Sequence, residues 1–205
     1  MDMDMEKEGY RYAGPQTVRQ SYMTEFVVLC PKCHKEALVT SNSGYVSSQG
    51  SLTCSNCMLR QRSEDFIRYK TIVKRNCDNC GKSITLEIPN QKKPSKQVTA
   101  PCPHCGITRT FEPRNEPYRL VYKSFGGVAT DPVFNLPLRF QAEVKGNHFW
   151  AYNRQHLHDV KSYVKARLRE RQADGYTTMV ERLPQFTKEA KNREAILKAI
   201  EQMGG

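Results

Sequence analysis

Nowhere in its 205 residues does this chain have an apolar run approaching the roughly 20 residues that a bilayer-crossing helix needs. Its opening residues, Met1-Asp2-Met3-Asp4-Met5-Glu6, are acidic where a secretory signal is basic and then apolar. With both absent, an intracellular protein, cytoplasmic or nucleoid-associated and without a membrane partner, is the expectation. Catalytic signatures are missing as well. His148, His156 and His158 have no Glu or Asp at a diagnostic metal-ligand or nucleophile spacing, and Asp131, Asp159 and Asp174 are scattered rather than grouped as a two-metal centre. The glycines of Ser124-Phe125-Gly126-Gly127-Val128-Ala129 lack the Lys-Ser/Thr ending of a phosphate-binding loop, so a hinge explains them better. The expectation is a non-catalytic protein.

No cysteine stands alone. All eight fall into Cys-x-x-Cys pairs, Cys30/Cys33, Cys54/Cys57, Cys77/Cys80 and Cys102/Cys105, with intervals between pairs all close to 20 residues. Two cysteines so spaced turn both sulfurs inward onto one ion, and two such turns complete the tetrahedral shell that zinc prefers. Four thiolates disfavour the hard cations. Disulfides need an oxidising compartment, a thioredoxin-like redox pair needs a single motif opening a helix, and the ferredoxin spacings are absent. Two structural zinc ions are therefore expected, each with four thiolates and no open position for a catalytic water. Pairing in chain order gives units 30–57 and 77–105, an internal repeat. A crossed pairing through Cys57 and Cys77 stays open on spacing alone.

In the first unit Ala37-Leu38-Val39-Thr40 leads into a turn at Ser41-Asn42-Ser43-Gly44, and Ser51-Leu52-Thr53 returns. In the second, Ser83–Ile88 alternates apolar Ile84, Leu86 and Ile88, and Gln97-Val98-Thr99-Ala100 is expected to return antiparallel to it, bringing Cys102 beside Cys80. Gly81 and Gly106 follow the second cysteines of their pairs, where the backbone must bend away from the metal. Residues 30–105 thereby resemble the zinc ribbon family of small β modules. That resemblance implies that Cys30, Cys33, Cys54, Cys57, Cys77, Cys80, Cys102 and Cys105 are the ligands, with His34 and His104 outside the shell. It implies fold and metal; zinc ribbons bind DNA, RNA or only partner proteins.

Acidic residues are the minority, 21 against 32 Lys and Arg, for a formal net charge of +11. Eight metal-bound thiolates and two zinc ions would still leave about +7. Residues 30–140 carry 17 basic and eight acidic side chains, so the excess sits in the cysteine-rich part, where DNA or RNA is the natural partner of such a field. Between the ribbons, 58–76 reads as a basic linker or strand in which Arg68, Lys70 and Lys74 flank Tyr69, an aromatic suited to stack on an unpaired base or, equally, to fill a small core. Lys92, Lys93 and Lys96 form a basic loop that suits a nucleic-acid groove or a soluble hairpin tip.

Residues 1–29 read as an arm and lead-in strand, and 106–135 as an extended connection. Over 136–205 the pattern predicts an α+β module. It begins with a hairpin over 136–152, followed by a helix over 154–171 started by Asn153, whose stripe is Leu157, Val160, Val164 and Leu168. Arg154, Lys161, Lys165 and Arg169 share an adjoining basic face of that helix. Asp174-Gly175 ends it, Pro184 offers a later start, and Asn192 caps a last helix carrying Ile196, Ile200 and Met203. The expected fold is thus tandem small β zinc ribbons followed by a hairpin and two short helices. Its expected task is nucleic-acid binding through Arg68, Tyr69, Lys70, Lys74, Lys92, Lys93, Lys96, Arg154, Lys161, Lys165 and Arg169. The alternative is a protein–protein adaptor in a larger nucleic-acid or defence assembly, which an apolar surface around Phe149 and Trp150 would favour.

Overall fold

A computed structural model of the chain describes residues 12, 14–15, 17–42, 49–124, 126–167 and 177–204. It divides into two compact units, one from the described parts of Met1–Ser63 and Tyr122–Gly205 and the other Glu64–Val121. The chain thus begins the first unit, leaves to build the second, and returns to finish the first. Among the described residues its β-rich body comprises four sheets, none closed into a barrel, and a small helical module follows.

The first unit opens with a 3-10 turn at Arg19–Tyr22 and four strands, β1 Glu25–Leu29, β2 Glu36–Ser41, β3 Gly50–Thr53 and β4 Arg60–Arg62, paired antiparallel in chain order. Part of the turn expected between β2 and β3, Ser43 and Gly44, lies outside the described residues. β1 reads Glu-Phe-Val-Val-Leu and buries Phe26, Val27 and Val28 in succession. Such a run suits a strand covered on both faces and hydrogen-bonded along both edges.

The second unit holds β5 Ile67–Asn76, β6 Ser83–Gln91, β7 Val98–Pro101, β8 Thr108–Phe111 and β9 Arg114–Arg119. Its sheets are β6-β5-β9 and β7-β8. This corrects the expectation that 97–100 pairs with 83–88: Val98 pairs with Phe111 and Ala100 with Arg109, while β6 pairs with β5. The physical reason lies in the segment that follows β6. Tyr69 pairs with Gln91 but Thr71 with Ile88, so Pro89 and Asn90 bulge out, Asn90 at φ 61°. Beyond the bulge Asn115 of β9 takes hold of Ser95, accepting its N–H at 3.0 Å and donating to its carbonyl at 2.9 Å. The chain between β6 and β7 is therefore held to β9.

On its return the chain completes the other edge of β1. Val27 N–H donates to the Tyr152 carbonyl at 2.8 Å, Leu29 N–H to that of Pro137 at 2.9 Å, and Arg139 N–H to that of Val27 at 2.8 Å. The approach is shaped by Asp131, 1% exposed, whose carboxylate accepts the N–H groups of Val133, Phe134 and Leu136 at 2.7–2.8 Å. β10 Phe140–Val144 and β11 Asn147–Ala151 form the expected hairpin, turned by Lys145 and Gly146 with φ of 49° and 74°. Phe149 within it is buried and Trp150 half-buried, so the hairpin offers no exposed apolar surface at these two residues.

Helix α1, Arg154–Lys165, starts as expected: Asn153 Oδ1 accepts the His156 N–H at 2.9 Å, and Leu157, Val160 and Val164 are buried. It ends earlier than expected, because Ala166 is extended at ψ 135°. Leu168, Arg169, Asp174 and Gly175 lie outside the described residues. After α2, Gln185–Lys188, comes α3, Arg193–Gln202, burying Ile196 and Ile200, with Met203 buried just beyond its end. Asn192 precedes α3 but its side chain does not cap it, since Nδ2 donates to the Phe186 carbonyl and Glu189 Oε2 instead. α3 packs on α1 and β10, and α1 on β11.

His156, a buried residue of the first turn of α1, stacks on Tyr22 with centroids 4.8 Å apart and accepts the Tyr152 N–H through Nδ1. Burial, aided by the charge of Arg19, lowers its pKa to about 4. A histidine held neutral in the fold stabilises it fully above its unfolded value near 6.5, and that stability is lost as pH falls toward 4. The loss amounts to about 3 kcal/mol from the size of the shift. Thermal melts between pH 7 and 4 are expected to show a steeper decline in the native protein than in His156→Gln; parallel curves would contradict this origin.

Candidate metal centres

Each Cys-x-x-Cys pair sits at the tip of a two-stranded hairpin. Cys30 and Cys33 join β1 to β2, Cys54 and Cys57 join β3 to β4, Cys77 and Cys80 join β5 to β6, and Cys102 and Cys105 join β7 to β8. The four tips share one hydrogen-bond plan. The N–H of each first cysteine donates to a carbonyl five residues on, at Lys35, Leu59, Lys82 and Ile107, over 2.8–2.9 Å. The residue after each second cysteine adopts a left-handed backbone: His34 at φ 57°, Met58 at 58°, Gly81 at 71° and Gly106 at 75°.

Gly81 and Gly106 are the glycines singled out from sequence. His34 and Met58 adopt the same conformation with a side chain present, which costs roughly 1 kcal/mol each. Met58 is 68% exposed, so little packing is at stake there. Met58→Gly is therefore expected to raise stability by up to about 1 kcal/mol, a rise in Tm of roughly 2–4 °C for a protein of this size. Calorimetry would check it, and a lower Tm would refute it.

The tips meet in pairs. Cys30, Cys33, Cys54 and Cys57 gather their sulfurs within 4.8 Å of one another, and Cys77, Cys80, Cys102 and Cys105 do the same, so chain-order pairing holds and the crossed alternative is excluded. Across the first group Cys30 lies 3.6 Å from Cys57 and Cys33 3.6 Å from Cys54; across the second, Cys77 lies 3.7 Å from Cys105 and Cys80 3.8 Å from Cys102. A tetrahedron with Zn–S bonds of about 2.3 Å has edges of about 3.8 Å, whereas a disulfide needs about 2.05 Å. The spacing fits a four-coordinate zinc and no S–S bond.

Backbone amides complete the fit. Lys35, Leu59, Lys82 and Ile107 each direct an N–H at the sulfur of the second cysteine in their tip. That donation pulls Cys33 and Cys105 down to about 6, favouring the thiolate that binds metal. At Cys57 burial outweighs the amide and raises the thiol. His34 and His104 are not among the clustered ligands, and His104 Nε2 lies 3.2 Å from the Ser83 carbonyl.

The proposed contact residues divide between the two units. Arg68, Tyr69, Lys70 and Lys74 lie on β5, and Lys92, Lys93 and Lys96 between β6 and β7. Lys74 and the three loop lysines are exposed. Lys70 is tied to Glu87 at 2.7 Å, Arg68 donates to the carbonyls of Asp65 and Ile67, and Tyr69 is half-buried. Arg154, Lys161 and Lys165 lie on α1 of the first unit. Arg154 meets Glu36 at 3.0 Å and lies over the Phe140 ring. A concavity of about 370 Å³ beside β5 joins Lys74, Arg75 and Arg114 to Glu87, Glu112 and Glu116, so its charge is mixed.

Sequence reasoning missed that all four pairs are hairpin tips. The signal was the left-handed position after the second cysteine, legible at Gly81 and Gly106 but hidden at His34 and Met58. Fold and site together define a chain with two four-cysteine centres of zinc-ribbon type, each capable of coordinating one Zn2+. In comparisons with protein families, curated proteins and solved structures, nothing matches the chain. No helix among the described residues is long and apolar enough to cross a membrane.

Proposed function

We propose that this chain is a non-catalytic zinc protein whose tandem ribbons present basic residues to DNA or RNA. The observation that carries this is the loop between β6 and β7. Lys92, Lys93 and Lys96 are all exposed on it, and the Asn115–Ser95 hydrogen bonds hold it to β9. A held loop presents its cations at little cost in conformational entropy. The second unit as a whole contains eleven Lys and Arg against six Asp and Glu. Zinc in this reading is structural: it closes the hairpin tips and leaves no position for water.

Joint replacement of Lys92, Lys93 and Lys96 by alanine is expected to weaken binding to unrelated sequences by similar factors. It should also flatten the dependence of log affinity on log salt by up to about three units, near one per phosphate contact. Titration of zinc-loaded protein with single- and double-stranded DNA and RNA at several salt concentrations tests this. Unchanged affinity and slope in the folded triple variant would remove the loop from the interface. Lys161 and Lys165 on α1 form a separate arm of the same experiment.

A protein-binding role is favoured by a different observation. Ile67, Tyr118, Leu120 and Val121 are exposed large apolar residues of the second unit, gathered where β5 begins and β9 ends, Ile67 pairing with Arg119. A surface of that kind suits an adaptor within a nucleic-acid assembly.

A further inference from the structure

A cavity of about 100 Å³ in the first unit lies among the 3-10 turn at Arg19–Tyr22, β11, α1 and the segment 179–187. Its polar lining is Arg19, Arg182, Thr187 and the imidazoles of His148 and His156, and among its described lining residues there is no carboxylate. Trp150 and Phe186 supply apolar wall. Two of the polar groups are left without partners. Thr187 is 1% exposed and its hydroxyl makes no hydrogen bond, and Arg19 Nε is buried and equally unmatched. A buried donor left unmet costs about 1–3 kcal/mol, and orphaned polar groups in a folded chain call for an explanation.

His156 adds a third donor. Its Nδ1 accepts the Tyr152 N–H, so the neutral ring carries its proton on Nε2. Donors from several elements therefore line one cavity, with no carboxylate among its described lining residues. We propose that this cavity binds a phosphate monoester. Its tetrahedral dianion accepts from Arg19 Nε, the Thr187 hydroxyl and His156 Nε2, with the exposed guanidinium of Arg182 at the rim. A planar carboxylate, with two oxygens and one charge, answers fewer of these donors. The volume is several times what a single water needs, enough for a phosphoryl group, and the cavity is partly open to solvent. The ester substituent can then leave through the open side. Both a free sugar phosphate and the 5′ end of a nucleic-acid strand meet that description. The site uses none of the cations assigned above to strand binding, so it stands or falls separately from them.

Trp150 is the single tryptophan of the chain and lines this cavity, so its fluorescence responds to a ligand bound there, and the two variants below assign the response to the cavity. Full-length zinc-loaded protein titrated with inorganic phosphate, ribose 5-phosphate and 5′-phosphorylated oligothymidylate should show a saturable change, absent with sodium chloride at equal ionic strength and with 5′-hydroxyl oligothymidylate. Thr187→Val removes the orphaned hydroxyl while keeping its volume, so the variant should be at least as stable as the native chain yet bind phosphate about tenfold more weakly. Arg182→Gln, at an exposed position, should weaken binding by a similar factor. Tighter binding of the phosphorylated strand than of ribose 5-phosphate identifies a strand end, and the reverse order a free metabolite; either supports the site. The proposal is overturned by no saturable response to any of the three phosphates, by acetate binding as tightly as phosphate, or by native affinity in both variants.

Discussion

Replacing Cys80 by serine is expected to unfold Glu64–Val121 while α1 and α3 keep their protection against hydrogen exchange. The cluster behind the second metal centre consists of Cys77, Ile84 and Cys102, with Cys80, Ile107 and Phe111 only partly buried around it. Three of those six residues are themselves metal ligands. A core so small cannot offset the entropy of ordering nearly sixty residues, whereas a structural zinc supplies an apparent ~10–16 kcal/mol at neutral pH. The first unit is placed differently, because Phe26, Phe134, Phe140, Leu157, Ile196 and Ile200 are all buried without reference to a metal. Exchange measured segment by segment is the test. Equal loss of protection in residues 154–202, or none in 67–119, would contradict it.

The same contrast bears on the first centre. Cys33→Ser is expected to disturb more than the β1–β4 sheet, since β1 is shared with the Pro137–Arg139 segment and Tyr152. The two four-thiolate sites look alike in their ligands and differ in what leans on them.

Asp131→Ala should be strongly damaging although the residue is neither a cysteine nor apolar. Its carboxylate accepts three backbone N–H groups in a buried turn, and alanine would leave all three unmet. At about 1–3 kcal/mol for each unmet donor, the expected loss is at least ~3 kcal/mol, a fall in Tm on the order of 10 °C. Asn, which accepts through one oxygen only, should fall between. A variant melting within a degree or two of the native protein would show that the turn holds without the carboxylate.

How much of this was legible beforehand depended on whether the determinant was local. The Cys-x-x-Cys tips, the Asn153 cap, the Lys145-Gly146 turn and the buried positions Leu157, Val160 and Val164 are each set by residues a few positions apart, and the structure has the eight cysteines in two clusters, the cap, the turn and the buried stripe. The β6–β7 pairing was misread because its competitor is remote: Asn115 of β9 holds the intervening loop, and no spacing within 83–100 announces it. The role of Asp131 was likewise hidden, for a lone aspartate among Pro, Val and Phe shows its three amides only after the turn is built. Asn192 resembles Asn153 in sequence context, yet Glu189 and the Phe186 carbonyl claim its amide. The orphaned Thr187 hydroxyl and Arg19 Nε carry no sequence signature at all.

The return of the chain to β1 has a consequence for synthesis. All four thiols of the first centre have emerged once Cys57 is made, but the second edge of β1 is filled only by residues 137–152, some eighty positions later. At about 5–20 residues per second that is an interval on the order of 4–16 s. Meanwhile every ligand of the second centre appears between Cys77 and Cys105, with its own strands beside it. A nascent chain therefore holds every segment of its second unit before the first unit is complete. During that interval the outer edge of β1 stands unpaired, a short apolar edge open to pairing with another chain.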